Sequence, residues 1–322
     1  MKVTVLGTGA FGIALARVLN KNENSVTMWT AFKDELDIVE KERENKKVLP
    51  GIKIPCEVEL TTDLESAIDG AKLIVVAVPS GAIRPVAKNL TDILKEDQTI
   101  CLMCKGLDEA TGDFMSNIFT NETKHSKVAV LTGPSFAVDV ATYKPVILTV
   151  ASKYEKANKI IKQCFENENL KVEGITDIIG AQLGGSLKNV GAIGSGILDG
   201  MNCEPSTKAA YITSVLKEMV VFAKELGAAR ETMYAYCSLG DLILTCTSIK
   251  SRNFRLGKMI GEGLSVEEAT KKLGLTVEGA NTLEGVYKIV RKYNMNLPII
   301  ETMYDIIKND ADKERLIWAM MK

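Results

Sequence analysis

Gly7-Thr8-Gly9-Ala10-Phe11-Gly12 decides the reading of this chain. The six residues fit G-x-G-x-x-G, and their setting carries more weight than the match. Lys2 to Leu6 is a short β-rich run that leads into the first glycine. Ala10 to Asn20 then places Ile13, Leu15, Ala16 and Leu19 at helical spacing, and Ser25 to Trp29 reads as a second strand. Strand, turn, helix and strand thus fall within the ~30 residues of one βαβ unit. In that setting the first glycine allows a tight turn and the second lets a pyrophosphate approach the backbone. The third lets helix and strand pack closely, and the helix amino end faces the phosphates. Without a ligand the same residues make only a tight strand–helix turn.

The pattern continues outward from this turn. A charged helix-like segment runs from Lys33 to Asn45, Glu57 to Thr61 is a weaker strand, and Asp63 is placed to cap a helix through Ile68. Leu73 to Val78 is apolar and β-branched and ends at Pro79, the mark of a strand buried on both faces. Helix 82–94, strand 98–103, helix 113–119 and strands 128–131 and 146–151 follow, then helix 153–165 and strand 169–173. Alternation of this kind predicts an α/β fold, a Rossmann-like, mostly parallel sheet with helices on both faces. From Ile178 strand signals vanish and helical patterns take over, including 182–198, 206–226, 254–262, 266–272, 281–293 and 299–307. The expectation is a dinucleotide-binding domain over 1–180 and an all-helical substrate domain over 181–322. No Pro/Gly/Ser linker separates them, which predicts a shared cleft.

Composition narrows the classes. Across 322 residues, 40 Lys and Arg face 41 Asp and Glu, for a net charge of −1, which lacks the basic excess of a nucleic-acid binder. No apolar run approaches the ~18 residues that span a membrane. The start of the chain lacks a small-residue cleavage site before Asn20, which argues against a secretory leader and for a cytoplasmic protein. Seven scattered cysteines read as buried, reduced thiols, and the lone Cys101-x-x-Cys104 lies in a strand where the two side chains point to opposite faces. No metal site is expected. The one histidine, His125, stands in the polar run Asn121 to Lys127, which reads as a solvated loop. Unless that loop folds into a cleft, enzymes needing a histidine base in the pocket are excluded, which leaves lysine, carboxylate or tyrosine as the acid/base.

Lys105 follows the strand Thr99–Met103, at the carboxyl end where α/β sheets bind ligands, and Gly133-Pro134-Ser135-Phe136-Ala137 does the same after 128–131. Lys188 shares a helix face with Gly184, Ala192 and Ser195. Small neighbours allow close approach, and desolvation there would bring a lysine toward acid/base duty. A lysine snorkelling from a packing helix is the plainer reading. Asp241 lies in the apolar run Ser238 to Thr245 and needs a partner, whether a structural ion pair or a catalytic lysine. Ser251-Arg252-Asn253 precedes a helix and reads either as a dianion cradle or as an ordinary serine cap beside a surface arginine.

Taken with Leu49-Pro50-Gly51-Ile52, Val78-Pro79-Ser80, Lys105-Gly106-Leu107, Leu187-Lys188-Asn189-Val190, Gly240-Asp241-Leu242 and Val277-Glu278-Gly279, these motifs resemble the bacterial NAD(P)-dependent sn-glycerol-3-phosphate dehydrogenases along nearly the whole chain. The resemblance implies hydride transfer between NAD(P)H and C2 of dihydroxyacetone phosphate, with the product feeding phospholipid synthesis. It makes Lys188 the proton donor and acceptor, with Asp241 and Lys105 as catalytic neighbours. Gly133, Ser135, Ser251, Arg252 and Asn253 would surround the substrate. Gly7, Gly9, Ala10, Phe11, Gly12, Ala137, Thr276 and Glu278 would line the cofactor, and Lys105 and Arg252 would touch both ligands. A homodimer is implied at family level.

Some positions depart from the family pattern. Ser206 and Ser214 replace an asparagine and an arginine, Ser238 stands where glycine is usual, and Ala31 replaces the basic residue of NADP types. An acidic residue that would hold the NAD ribose is also missing from Trp29-Thr30-Ala31-Phe32-Lys33, where no carboxylate precedes Asp34. Lys33 is a candidate for a 2′-phosphate, so the choice between NAD and NADP stays open. The other classes are a related β-hydroxyacid-type dehydrogenase acting on another polyol phosphate or keto acid, and a non-catalytic redox sensor. A plain hydroxy acid would not need the Ser251–Asn253 phosphate cradle, and a sensor without turnover would not need Lys188 and Asp241.

Overall fold

Strands of alternating apolar residues, each buried on both sides, form the centre of the first of two compact units. The structure is a computed structural model that describes residues 1–104, 107–108, 111–274 and 278–321, with backbone alone at 278, 280 and 281. Met1–Cys104 with Met115–Ile178 make one unit, and the described part of 105–114 joins 179–321 in the other.

The first unit runs β1 (Lys2–Leu6), α1 (Ala10–Lys21), β2 (Ser25–Trp29), α2 (Lys33–Glu42), β3 (Glu59–Thr61), α3 (Leu64–Ile68), β4 (Leu73–Val76) and α4 (Ile83–Leu90). It continues β5 (Thr99–Leu102), α5 (Met115–Thr123), β6 (Val128–Thr132), α6 (Ala137–Ala141), β7 (Val146–Ala151), α7 (Glu155–Phe165) and β8 (Leu170–Ile175). Strand order is β3-β2-β1-β4-β5-β6-β7-β8. Every neighbouring pair is parallel except β6 and β7, where Thr132 faces Thr149. Only the five-residue α6 lies between those strands, too little for a full crossover helix, so the chain returns antiparallel.

Period-two alternation divides the strands between two cores. Val3, Val5, Leu73, Val75, Cys101 and Leu131 enter one, and Leu6, Ile74, Val76, Ile100, Leu102 and Val130 the other. Cys101 and Cys104 accordingly lie in different cores, and burial pushes the Cys101 thiol far above its ordinary range, which leaves it inert. Asp63 caps α3 by accepting the Ser66 N–H at 3.2 Å. The helix from Lys33 stops short of Asn45 because Arg43 turns left-handed at φ 50°.

His125 corrects the sequence reading: it is buried at 9 % exposure, not solvated. Its Nε2 lies 2.8 Å from the Gln98 carbonyl, a polar partner just before β5 that draws the imidazole inward. Gln98 marks the amino end of β5, opposite the carboxyl ends where the glycine turns lie. The exclusion of a histidine base therefore rests on position rather than on solvation.

The second unit contains α8 (Ile178–Gly200), α9 (Pro205–Glu225), α10 (Asp241–Thr247), α11 (Arg252–Gly261), α12 (Val266–Leu273), α13 (Glu278–Lys292), α14 (Pro298–Asn309) and α15 (Arg315–Met320). A 3-10 turn at Arg230–Tyr234 and a π turn at Tyr236–Gly240 precede α10. Helix α8 is apolar on all sides and buried along nearly its whole length, as a central helix must be. It meets α11 at a glycine seam. A Cβ on Gly196 would lie 2.8 Å from the Lys258 nitrogen, and one on Gly257 2.9 Å from the Ile197 nitrogen, so the two backbones touch. Glu218 on α9 caps α14 from a distance, accepting the N–H groups of Ile299 at 2.6 Å and Ile300 at 3.0 Å. Burial raises its carboxyl to about 7. No helix among the described residues is long and apolar enough to cross a membrane.

Candidate active site

The strand order reverses between β1 and β4, and the glycine turn emerges there. Gly7 has φ +116°, and a Cβ on it would stand 2.9 Å from the Ala77 carbonyl oxygen, so only glycine fits. A Cβ on Gly12 would overlap the Gly7 carbonyl, which explains why α1 can start so close to β1. Gly9 has open space where its Cβ would be, and it caps α1 without any side-chain hydrogen bond. A backbone cradle with free amides and room above it fits a dinucleotide pyrophosphate. Ala10 and Phe11 open the helix half-buried. At the end of β6, Gly133 takes φ +146°, Ser135 donates to the Gly133 carbonyl at 3.3 Å, and Ala137 opens α6.

In the helical unit the fold brings Lys188 and Asp241 into direct contact. Nζ of Lys188, on a residue 6 % exposed, lies 2.6 Å from Oδ1 of the fully buried Asp241. A second partner, which the sequence reading missed, is the Thr245 hydroxyl at 3.0 Å. Thr245 in turn donates to the Asp241 carbonyl at 2.6 Å, so the three groups form one buried cluster. The small residues flanking Lys188 explain the approach. A Cβ on Gly184 would lie 2.7 Å from the Ser238 Cβ and 2.8 Å from the Cys237 carbonyl, and Ser195 donates to the Cys246 carbonyl at 2.8 Å. The face that carries Lys188 is thus the face that packs α10 and its π turn.

Next to Lys188, the Oδ1 of Asn189 accepts from Asn253 Nδ2 at 3.0 Å, and Asn253 Oδ1 accepts the Gly279 N–H at 3.0 Å. Asn253 therefore ties α8, α11 and α13 together. Asn189 is not among the residues the sequence singles out, and its Nδ2 is buried without a partner among the described residues. Ser251 caps α11 by accepting the Phe254 N–H at 3.2 Å, and Arg252 is exposed at the helix start. Lys105 and Thr276, and the side chain of Glu278, lie outside the described residues.

Models of the N- and C-terminal regions of NAD-dependent glycerol-3-phosphate dehydrogenase match residues 2–158 and 177–317. The chain belongs to that family. A glycerol-3-phosphate dehydrogenase [NAD(P)+] of Fusobacterium nucleatum is 39 % identical over 97 % of this chain and 95 % of its own length. Its counterpart in Listeria innocua is 36 % identical over 99 % of this chain and 96 % of its own. The crystal structure of glycerol-3-phosphate dehydrogenase from Coxiella burnetii superposes with a TM-score of 0.94 at 30 % identity, covering 100 % of this chain and 98 % of that one. The glycerol-3-phosphate dehydrogenase fold, a mostly parallel sheet followed by a helical unit, is the one described above.

Proposed function

We propose that this NAD(P)-dependent oxidoreductase reduces C2 of dihydroxyacetone phosphate to sn-glycerol 3-phosphate, reversibly, with Lys188 as proton donor and acceptor at the C2 oxygen. The observation that carries the role of Lys188 is its buried head group, 2.6 Å from Asp241 and 3.0 Å from Thr245. Two oxygens hold the ammonium in one place, so no reorganisation is needed when charge develops on the substrate. When bound, the reduced nicotinamide supplies the hydride that C2 takes up. The carbonyl is reduced by two electrons, its oxygen takes the Lys188 proton, and the neutral amine recovers a proton before the next turnover. In reverse, the same amine takes the proton of the C2 hydroxyl.

Arg252, Ser251 and Asn253 at the start of α11, with Lys105, Gly133 and Ser135, serve the three-carbon phosphate in this reading. Asn189 joins them because its buried Nδ2 has no acceptor among the described residues. Gly7, Gly9, Ala10, Phe11 and Gly12 hold the pyrophosphate side of the nucleotide, and Ala137, Thr276 and Glu278 complete its contacts. The seven free thiols suit a reducing cytoplasm, and we infer a homodimer from the family resemblance. The glycerol 3-phosphate formed supplies phospholipid synthesis.

The test is loss of reduced-nicotinamide absorbance on adding dihydroxyacetone phosphate to the purified chain. Oxidation is expected with the parent, and Lys188→Ala should still bind nucleotide while turnover is lost. A Lys188→Ala variant with near-parental rate removes the lysine from the mechanism.

A further inference from the structure

The turn after β2 is where a dinucleotide-binding sheet recognises the adenosine ribose. Residue order puts Thr30, Ala31 and Phe32 there and no acid. Folding brings one back from the first turn of α2. Oε2 of Glu35 accepts the Thr30 hydroxyl at 2.7 Å, and Oε1 accepts Asn45 Nδ2 at 3.0 Å. The same Asn45 amide reaches the backbone carbonyl of Thr8, in the middle of the glycine turn, at 3.3 Å. The Thr30 hydroxyl also accepts the Phe32 N–H at 3.3 Å. A single network therefore fixes a carboxylate to the end of β2 and to the nucleotide turn.

The surrounding charges favour no phosphate at this position. Lys33, the cation that the sequence offered for a 2′-phosphate, faces Asp37 at 2.7 Å on the outer side of α2. On the segment that carries Asn45, Lys46 faces Glu42 at 2.6 Å and Lys53 faces Glu44 at 2.8 Å. Ala31 brings no charge. Glu35 is half-buried, and a carboxylate has about four acceptor positions, of which Thr30 and Asn45 use two. Its partners hold it still without exhausting it. The Phe32 ring, 69 % exposed on the same turn, adds an apolar surface of the kind a base can cover.

We propose that Glu35 sets the nucleotide preference of this chain, accepting the free 2′-hydroxyl of NAD(H) and repelling the 2′-phosphate of NADP(H). The proposal rests on the dinucleotide reading of Gly7–Gly12 and gives it a direction that residue order left open. Acting through charge, Glu35 affects the two nucleotides in opposite senses. A scaffold role, holding Asn45 against Thr8, would affect both alike.

The experiment is fluorescence titration of the full chain with NADH and NADPH separately, without the three-carbon substrate. NADH is expected to bind at least about tenfold more tightly, on the order of what one like-charge contact near a protein surface costs. Glu35→Gln keeps the shape of the side chain, and it should narrow that ratio by about tenfold, mainly through tighter NADPH binding. Parent protein that binds the two equally, or prefers NADPH, overturns the proposal, as does a Glu35→Gln variant with the parental ratio. Binding of neither nucleotide would instead overturn the dinucleotide reading beneath it. A melting curve on Glu35→Gln checks that the Thr30 and Asn45 contacts survive.

Discussion

Asp241→Ala separates what the buried carboxylate does for stability from what it does for chemistry. The Lys188 and Asp241 side chains are 7 % and 0 % exposed and meet at 2.6 Å. Removing one member of such a pair costs about 3–5 kcal/mol, because the other is left as an uncompensated buried charge. The Thr245 hydroxyl, 3.0 Å from Nζ, remains as a neutral partner, so the low end is expected, about 3 kcal/mol. For a unit of this size that lowers the melting temperature by about 6–12 °C. Turnover should fall by about 10²–10³, since the ammonium is no longer aimed. The informative companion is Lys188→Met/Asp241→Leu, which removes both charges and fills similar volume. It should melt within about 1 kcal/mol of the parent, or above it, with no turnover at all. Thermal melting and nicotinamide oxidation on the same preparations measure both quantities. A double variant that melts as low as Asp241→Ala would refute the reasoning, because the pair would then be a source of stability rather than a cost retained for chemistry.

Two further expectations concern the helical unit. Gly257→Ala gains about 1 kcal/mol of helix propensity, yet its Cβ would lie 2.7 Å from the Ile193 carbonyl carbon and 2.9 Å from the Ile197 nitrogen, backbone that cannot turn aside. A net loss of about 2 kcal/mol is expected by thermal melting. Gly81→Ala, where a Cβ meets nothing, should match the parent, and equal melting of both variants would mean that α8 and α11 separate freely. Glu218 titrates at about 7 in the fold against an ordinary 4.5, so the folded chain binds its proton more tightly than the unfolded one. Its contribution is complete below about pH 4.5 and is lost as pH rises through about 7, up to about 3 kcal/mol. Melting measured from pH 5 to 8 should slope downward in the parent and less so in Glu218→Gln; parallel slopes would remove Glu218 as the cause.

What could be read along the chain was whatever declares itself locally. The glycine turn, the period-two strands and the helical texture after Ile178 all rest on neighbours a few residues apart, and each stands in the fold. Lys188 and Asp241 were legible one at a time, each as a polar group in apolar surroundings. Such a group states that it needs a partner without saying which, since the residue that meets it is 53 positions away. Thr245 escaped notice because α10 is only seven residues long and carries no periodic signal to mark positions 241 and 245 as one face. Glu35 escaped for a related reason. Residue order along β2 offers no carboxylate before Asp34, whereas the fold brings Glu35 to the end of β2 from the next helix. The antiparallel β7 and the burial of His125 are likewise set by where the chain returns. Buried polar groups then sort by what satisfies them. Lys188, Asp241 and the two ends of the Asn253 amide find partners within the fold, and Asn189, next to Lys188, keeps a buried donor with no acceptor among the described residues. A buried N–H with no acceptor costs about 1–3 kcal/mol, and a substrate oxygen placed at that point would recover it on binding.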